Sequence, residues 1–165
     1  MPDAINRKLV GVIGAGTEDA LTNERAHEVG GRLAQAGCSI ICGGLEGVMR
    51  EVARGFQETR TPDSQQIVVG ILPSNDPADG NAYLDLAIAT GLGEARNSVI
   101  VNSAAVYIAV GGGFGTLSEI AYALRLGKTV IGLGSWEVHE NIVKVDTPEQ
   151  AVKAAVEALL AGNSN

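Results

Sequence analysis

Residues Gly111-Gly112-Gly113-Phe114-Gly115-Thr116 place four glycines in five consecutive positions, between an apolar β-branched run and a segment of helical periodicity. Glycine has no Cβ, so backbone N–H groups can approach an oxyanion there without obstruction. The following helix start adds N–H groups that lack intrahelical acceptors, together with a partial positive charge. This chemistry points to phosphate binding. A tight turn would not need so many glycines. The loop is not a Walker loop, since no Gly-Lys-Ser/Thr follows. Glu119 lies three residues beyond Thr116, and two roles fit that spacing. Thr116-x-x-Glu119 reads as a capping box, with Thr116 as N-cap. Alternatively, Glu119 is a carboxylate held beside a bound ribose.

Two more strand-to-helix junctions are glycine-rich. Gly14-Ala15-Gly16-Thr17 is a partial dinucleotide fingerprint in which Asp19 replaces the third glycine, so a phosphate or ribose contact suits it better than NAD. Cys42-Gly43-Gly44-Leu45-Glu46-Gly47-Val48-Met49 repeats the design, and close strand–helix packing explains each single glycine there equally well. Arg96-Asn97 follows Gly91-Leu92-Gly93 at the edge of an apolar segment. Arginine there suits bidentate contact with a phosphate or carboxylate. His27 and His139 are isolated, so no metal site is expected. Gly134-Ser135-Trp136 lacks the flanks of a nucleophile elbow.

These loops must be held by alternating strands and helices. Strands are predicted at 9–13, 39–42, 67–72, 105–110 and 129–133, with a last short one at 143–145. Helices are predicted at 24–36, 47–58, 93–103, 116–125 and 148–161, with Gly37 and Gly127 as stops. The polar stretch Asn75 to Tyr83 reads as a long loop of the kind that serves as a binding loop or lid. This alternation predicts a three-layer Rossmann-like α/β fold with a mostly parallel sheet and helices on both faces. All of residues 1–165 are read as one domain. Ligands bind such sheets at the carboxyl ends of the strands, where all three glycine-rich loops fall.

Composition narrows the partners. The 165 residues carry a net charge of -7 and only 4% aromatics, which argues against nucleic acid as a partner. The longest apolar run, Val99 to Val110, is too short to span a membrane. Cys38 and Cys42, if on one strand, would have Cα atoms about 13 Å apart, beyond disulfide reach. They read as free thiols in a reducing, cytoplasmic setting.

Taken in order, Gly43-Gly44-x-x-Gly47-Val48-Met49, Gly70-Ile71-Leu72-Pro73, Ala95-Arg96-Asn97 and Gly112-Gly113-x-Gly115-Thr116-x-x-Glu119 make the chain resemble the Lonely Guy family, part of a superfamily long labelled "possible lysine decarboxylase". The resemblance covers roughly residues 9–133, and the short branch that includes molybdenum-cofactor carrier proteins is the most similar part of it. Lonely Guy enzymes hydrolyse the N-glycosidic bond of cytokinin riboside 5′-monophosphates, releasing base and ribose 5-phosphate. The resemblance implies Arg96 and Glu119 as catalytic residues. It implies a phosphate or nucleotide site from Gly14, Gly16, Gly43, Gly44, Met49, Asn97, Gly112, Gly113, Gly115 and Thr116. It also implies a homo-oligomer and no required cofactor. Two positions depart from the enzymes: Gly111 stands in place of proline, and Asn97 in place of lysine. Those departures favour a carrier, while retention of Arg96 and Glu119 favours the enzyme, and the main expectation is a nucleoside 5′-monophosphate phosphoribohydrolase. The alternative is a non-catalytic carrier with molybdenum cofactor, or a related phosphorylated pterin or nucleotide, as cargo.

Overall fold

The computed structural model describes residues 8–17 and 19–162. The chain runs β1 (Leu9–Gly14), α1 (Ala20–Gln35), β2 (Ser39–Cys42), α2 (Val48–Thr59), β3 (Val68–Leu72), β4 (Leu86–Ala89), α3 (Asn97–Ser103), β5 (Val106–Val110), α4 (Phe114–Arg125), β6 (Thr129–Leu133), β7 (Val143–Val145) and α5 (Pro148–Gly162). The seven strands form one sheet in the order β4-β3-β2-β1-β5-β6-β7, and every pairing is parallel. The fold is the expected Rossmann-like α/β sandwich.

The strands are apolar on both faces because helices cover both faces. Val10, Val12, Ile40, Val68, Ile108 and Ile131 point into a core shared with α1, α2 and α5. Ile13, Ile41, Ile71, Tyr107 and Val130 point the other way, into a second core under α3 and α4. α1 and α2 lie against each other through glycines. A Cβ on Gly30 would collide with the Val52 carbonyl, and one on Gly55 with the His27 carbonyl.

Three sequence expectations need correction. α1 starts at Ala20, before the expected Glu24, because the Asp19 side chain caps it by accepting from the Thr22 amide at 3.0 Å. The expected helix over 93–103 is a 3-10 turn, Gly93–Arg96, followed by α3. The polar stretch 75–83 is anchored: Asn81 donates from its backbone to the Gly44 carbonyl and from Nδ2 to the Leu45 carbonyl, both at 2.9 Å. Strand β4 follows it and had no sequence expectation, because an edge strand of four residues with half its side chains exposed carries little apolar signal. Last, α4 begins at Phe114 with Gly113 as its N-cap. Thr116 is thus its third residue, and the capping box between Thr116 and Glu119 does not form.

Strand order decides where the loops go. From β1 the chain crosses through α1 to β2, while β5 lies on the opposite side of β1. The loops leaving β1 and β5 therefore diverge and open a crevice at the carboxyl end of the sheet.

Candidate functional site

That crevice is a cleft of about 410 Å³. One wall is the β1–α1 loop, Gly14 to Thr17; the other is the start of α4, with Gly113, Gly115, Thr116 and Glu119. Gly43, Leu45 and Met49 come from the β2–α2 junction, and Pro73, Glu94, Arg96 and Asn97 close the far side. The β1 and β2 loops are tied together, because the Val48 amide donates to the Ala15 carbonyl at 3.0 Å.

The glycine loop presents a row of uncommitted donors. The first intrahelical bond of α4 runs from the Leu117 amide to the Gly113 carbonyl at 3.0 Å. The amides of Gly112, Gly113, Phe114, Gly115 and Thr116 donate to no group among the described residues. Five successive free N–H groups at a helix N-terminus form a strong anion site. A Cβ on Gly113 or Gly115 would meet nothing within 4 Å, so bare backbone faces open space there.

Arg96 and Glu119 both reach the cleft from opposite sides. The Arg96 guanidinium is turned to the sheet: Nη1 donates to the Gly43 carbonyl at 2.6 Å and to the Ile71 carbonyl. It thereby clips the ends of β2 and β3, leaving its buried Nε without a partner. Only glycine at 43 permits this, because a Cβ would lie 2.5 Å from Met49 Sδ and 2.9 Å from Arg96 Nη2. Glu119 is 7% exposed, and its carboxylate has no hydrogen bond among the described residues. Burial pushes its carboxyl up to about 7, and the charge of Arg96 opposes that shift only in part. A carboxyl of that pKa beside an anion-binding loop can exchange a proton near neutrality.

Ten of the expected site residues are brought together: Gly14, Gly16, Gly43, Met49, Arg96, Asn97, Gly113, Gly115, Thr116 and Glu119 all line the cleft. Gly44 and Gly112 do not. Gly44 has φ +75° and packs against Leu72 and Gly70, so its glycine serves close approach. Gly112 has φ +129° and lies under the Thr116 side chain, on the other flank of the loop. Gly111 has φ +57°. Proline, held near −65°, cannot adopt that conformation, so the loop entry differs in shape from the one the enzymes' proline implies. Among the cleft residues, Glu94 had no sequence expectation. Its signal was there, two residues before Arg96, but an acidic residue in a glycine-rich turn reads as solvated surface.

Residues 7–160 match the model of the SLOG cluster4 family. The chain belongs to this family. A relative in Archaeoglobus fulgidus, described as an uncharacterized protein, is 43% identical over 147 residues, 89% of this chain and 93% of its own. Two solved structures share the fold closely. The molybdenum cofactor binding protein of the phototrophic bacterium Rippkaea orientalis is 30% identical with a TM-score of 0.82, over 92% of this chain and 96% of that one. The molybdenum cofactor carrier protein of Chlamydomonas reinhardtii is 30% identical with a TM-score of 0.79, over 93% and 98%. This SLOG cluster4 chain is thus similar over nearly its whole length to proteins of that type. These likenesses favour the carrier alternative over the hydrolase as the main reading. Among the described residues no helix is long and apolar enough to cross a membrane, and no group of acidic, His or Cys side chains could hold a metal ion.

Proposed function

We propose that this chain is a binding protein for a phosphorylated pterin or nucleotide, with molybdenum cofactor as the leading cargo. The observation that carries this reading is the row of unspent amides from Gly112 to Thr116, in which Gly113, Gly115 and Thr116 line the cleft. The likeness to two molybdenum-cofactor-binding proteins supplies the class of cargo. In this reading the loop takes the phosphate, while Gly14, Gly16, Met49 and Asn97 shape the space for the rest of the molecule. Arg96 holds the strand ends that form the floor and lends positive charge, offsetting part of the chain's -7. Binding needs no bond to break, so it makes no demand on Glu119 beyond its uncharged form, which leaves an arriving phosphate unopposed. A homo-oligomer in a reducing, cytoplasmic setting belongs to the same proposal.

The test is purification from a molybdenum-cofactor-producing host, with oxidation of any bound pterin to its fluorescent product and mass spectrometry of the remainder. Near-stoichiometric pterin or nucleotide in the wild type, lost in Gly113→Val, is the expected result. A wild type that binds neither, under conditions where a known carrier does, refutes the reading.

A second reading rests on one specific observation, the Glu119 carboxyl raised to about 7 in the cleft. Such a group could stabilise the oxocarbenium character that develops when a nucleoside 5′-monophosphate loses its base. Release of free base by the wild type, lost in Glu119→Gln, would make the protein a hydrolase.

A further inference from the structure

The glycine loop has two flanks, and the site described above uses only one. On the other flank lies a second concavity of about 350 Å³, lined by Gly111, Gly112, Gly134, Ser135, Trp136 and Glu137. It is formed where the loop leaving β6 lies beside the loop leaving β5. Its glycines are not incidental. Gly111, Gly112 and Gly134 all have positive φ and hold a bare backbone at this surface.

Phe114 adjoins this flank through Trp136, which lines the concavity and meets its ring. It is the first residue of α4, and at 83% exposed it is the most exposed large apolar side chain of the described residues. An aromatic ring so placed gains nothing from the core. It is nevertheless ordered from behind: the Trp136 ring stacks on it with centroids 6.1 Å apart and planes inclined by 30°. Trp136 is itself fixed, donating from Nε1 to the Gly113 carbonyl at 3.1 Å. The two rings are thus locked to the loop whose amides are free. Beside them, the Ser135 hydroxyl oxygen is buried and has no hydrogen-bond partner. A buried hydroxyl without a partner points to a group that the described chain does not supply.

Rigid aromatic faces next to phosphate-binding amides are what a flat heteroaromatic ring needs. Stacking supplies affinity, and an edge donor or acceptor orients the ring. The main cleft and the Phe114 flank are separated only by the anion-binding loop. We propose that Phe114 and Trp136 form a second ring site, so that the loop also accepts ligands of the ring–phosphate–phosphate–ring class: one ring in the main cleft, the phosphates on the amides, the other ring against Phe114. This deepens the binding reading above and rests on it for the phosphate loop.

The probe is a two-ring compound, P1,P2-di(adenosine-5′) diphosphate, compared with AMP and ribose 5-phosphate. Trp136 is the chain's single tryptophan, so its fluorescence reports on this flank alone. The expected result is that the two-ring compound binds on the order of tenfold or more tighter than AMP, since one more base stacks on an aromatic side chain. It should also quench Trp136, which AMP should not. Phe114→Ala should bring the ratio of the two affinities down to near one. Trp136→Ala, which removes the backing ring, should do the same, while Trp136→Phe should keep most of the ratio. Melting temperatures of all three variants show whether each is folded. Equal wild-type affinities for AMP and the two-ring compound overturn the second site and leave the phosphate loop intact. So does a ratio unchanged in Phe114→Ala. Failure of all three probes to bind removes the phosphate-loop reading as well.

Discussion

Glu119→Gln should make this protein more stable at pH 8 and leave its stability nearly unchanged at pH 5. In the fold, burial raises the Glu119 carboxyl to about 7 from its ordinary value of 4.5. The folded state therefore holds its proton more tightly than the unfolded chain does. The stabilisation is full below about 4.5 and is lost as pH rises through about 7. Between those limits the folded state binds about one proton more, so stability falls by about 1.4 kcal/mol per pH unit. From pH 5 to pH 8 the loss is about 3 kcal/mol, an upper figure because the buried site can relax. Glutamine has the same shape and no proton to lose, so that slope disappears. The capping box does not form, so no helix cap is removed. The assay is urea unfolding of both proteins at pH 5, 6, 7 and 8, with the difference in stability plotted against pH. A difference that does not change with pH refutes the assignment of a buried, protonated carboxyl. Any loss of ligand binding or turnover alongside gained stability would mark Glu119 as a group kept at a cost to folding.

Gly113→Val should cost no more than about 1 kcal/mol of unfolding free energy, the scale of a weakened N-cap, because a Cβ there meets nothing within 4 Å, yet it should abolish phosphate-ligand binding in calorimetry. Gly43→Ala should displace the Arg96 guanidinium and lose about 2 kcal/mol, the scale of a charge-assisted hydrogen bond; an unchanged urea midpoint would show that Arg96 does not clip the strands. Gly30→Ala should cost about 2–3 kcal/mol in the same assay, since its Cβ would meet the Val52 carbonyl and come 3.0 Å from the Phe56 amide. Both cysteines should titrate as free thiols in the denatured protein without reductant, and in the folded protein Cys42 should be slow to react, because burial pushes its thiol up to about 11.

The sequence by itself determined the alternation of elements and the place of the glycine loop. Apolar runs such as Val106–Val110, buried throughout, are unambiguous because both faces are covered, and glycine density marks a backbone that must approach something. The family resemblance carried by its motifs also put Arg96 and Glu119 on the same short list. What each does was decided only by tertiary structure. Arg96 donates to the carbonyls of Gly43, just past β2, and Ile71, on β3, which lie 53 and 25 residues away in the chain, so local spacing carries no trace of those bonds. Thr116-x-x-Glu119 fits a capping box letter by letter, yet the N-cap lies three residues earlier, at Gly113, and the helix begins at Phe114. The raised pKa of Glu119 comes from burial, against the opposing charge of Arg96, and burial cannot be read from a residue's neighbours in sequence. Strand β4 escaped for the reverse reason: its pairing with β3, and not its own composition, makes it a strand.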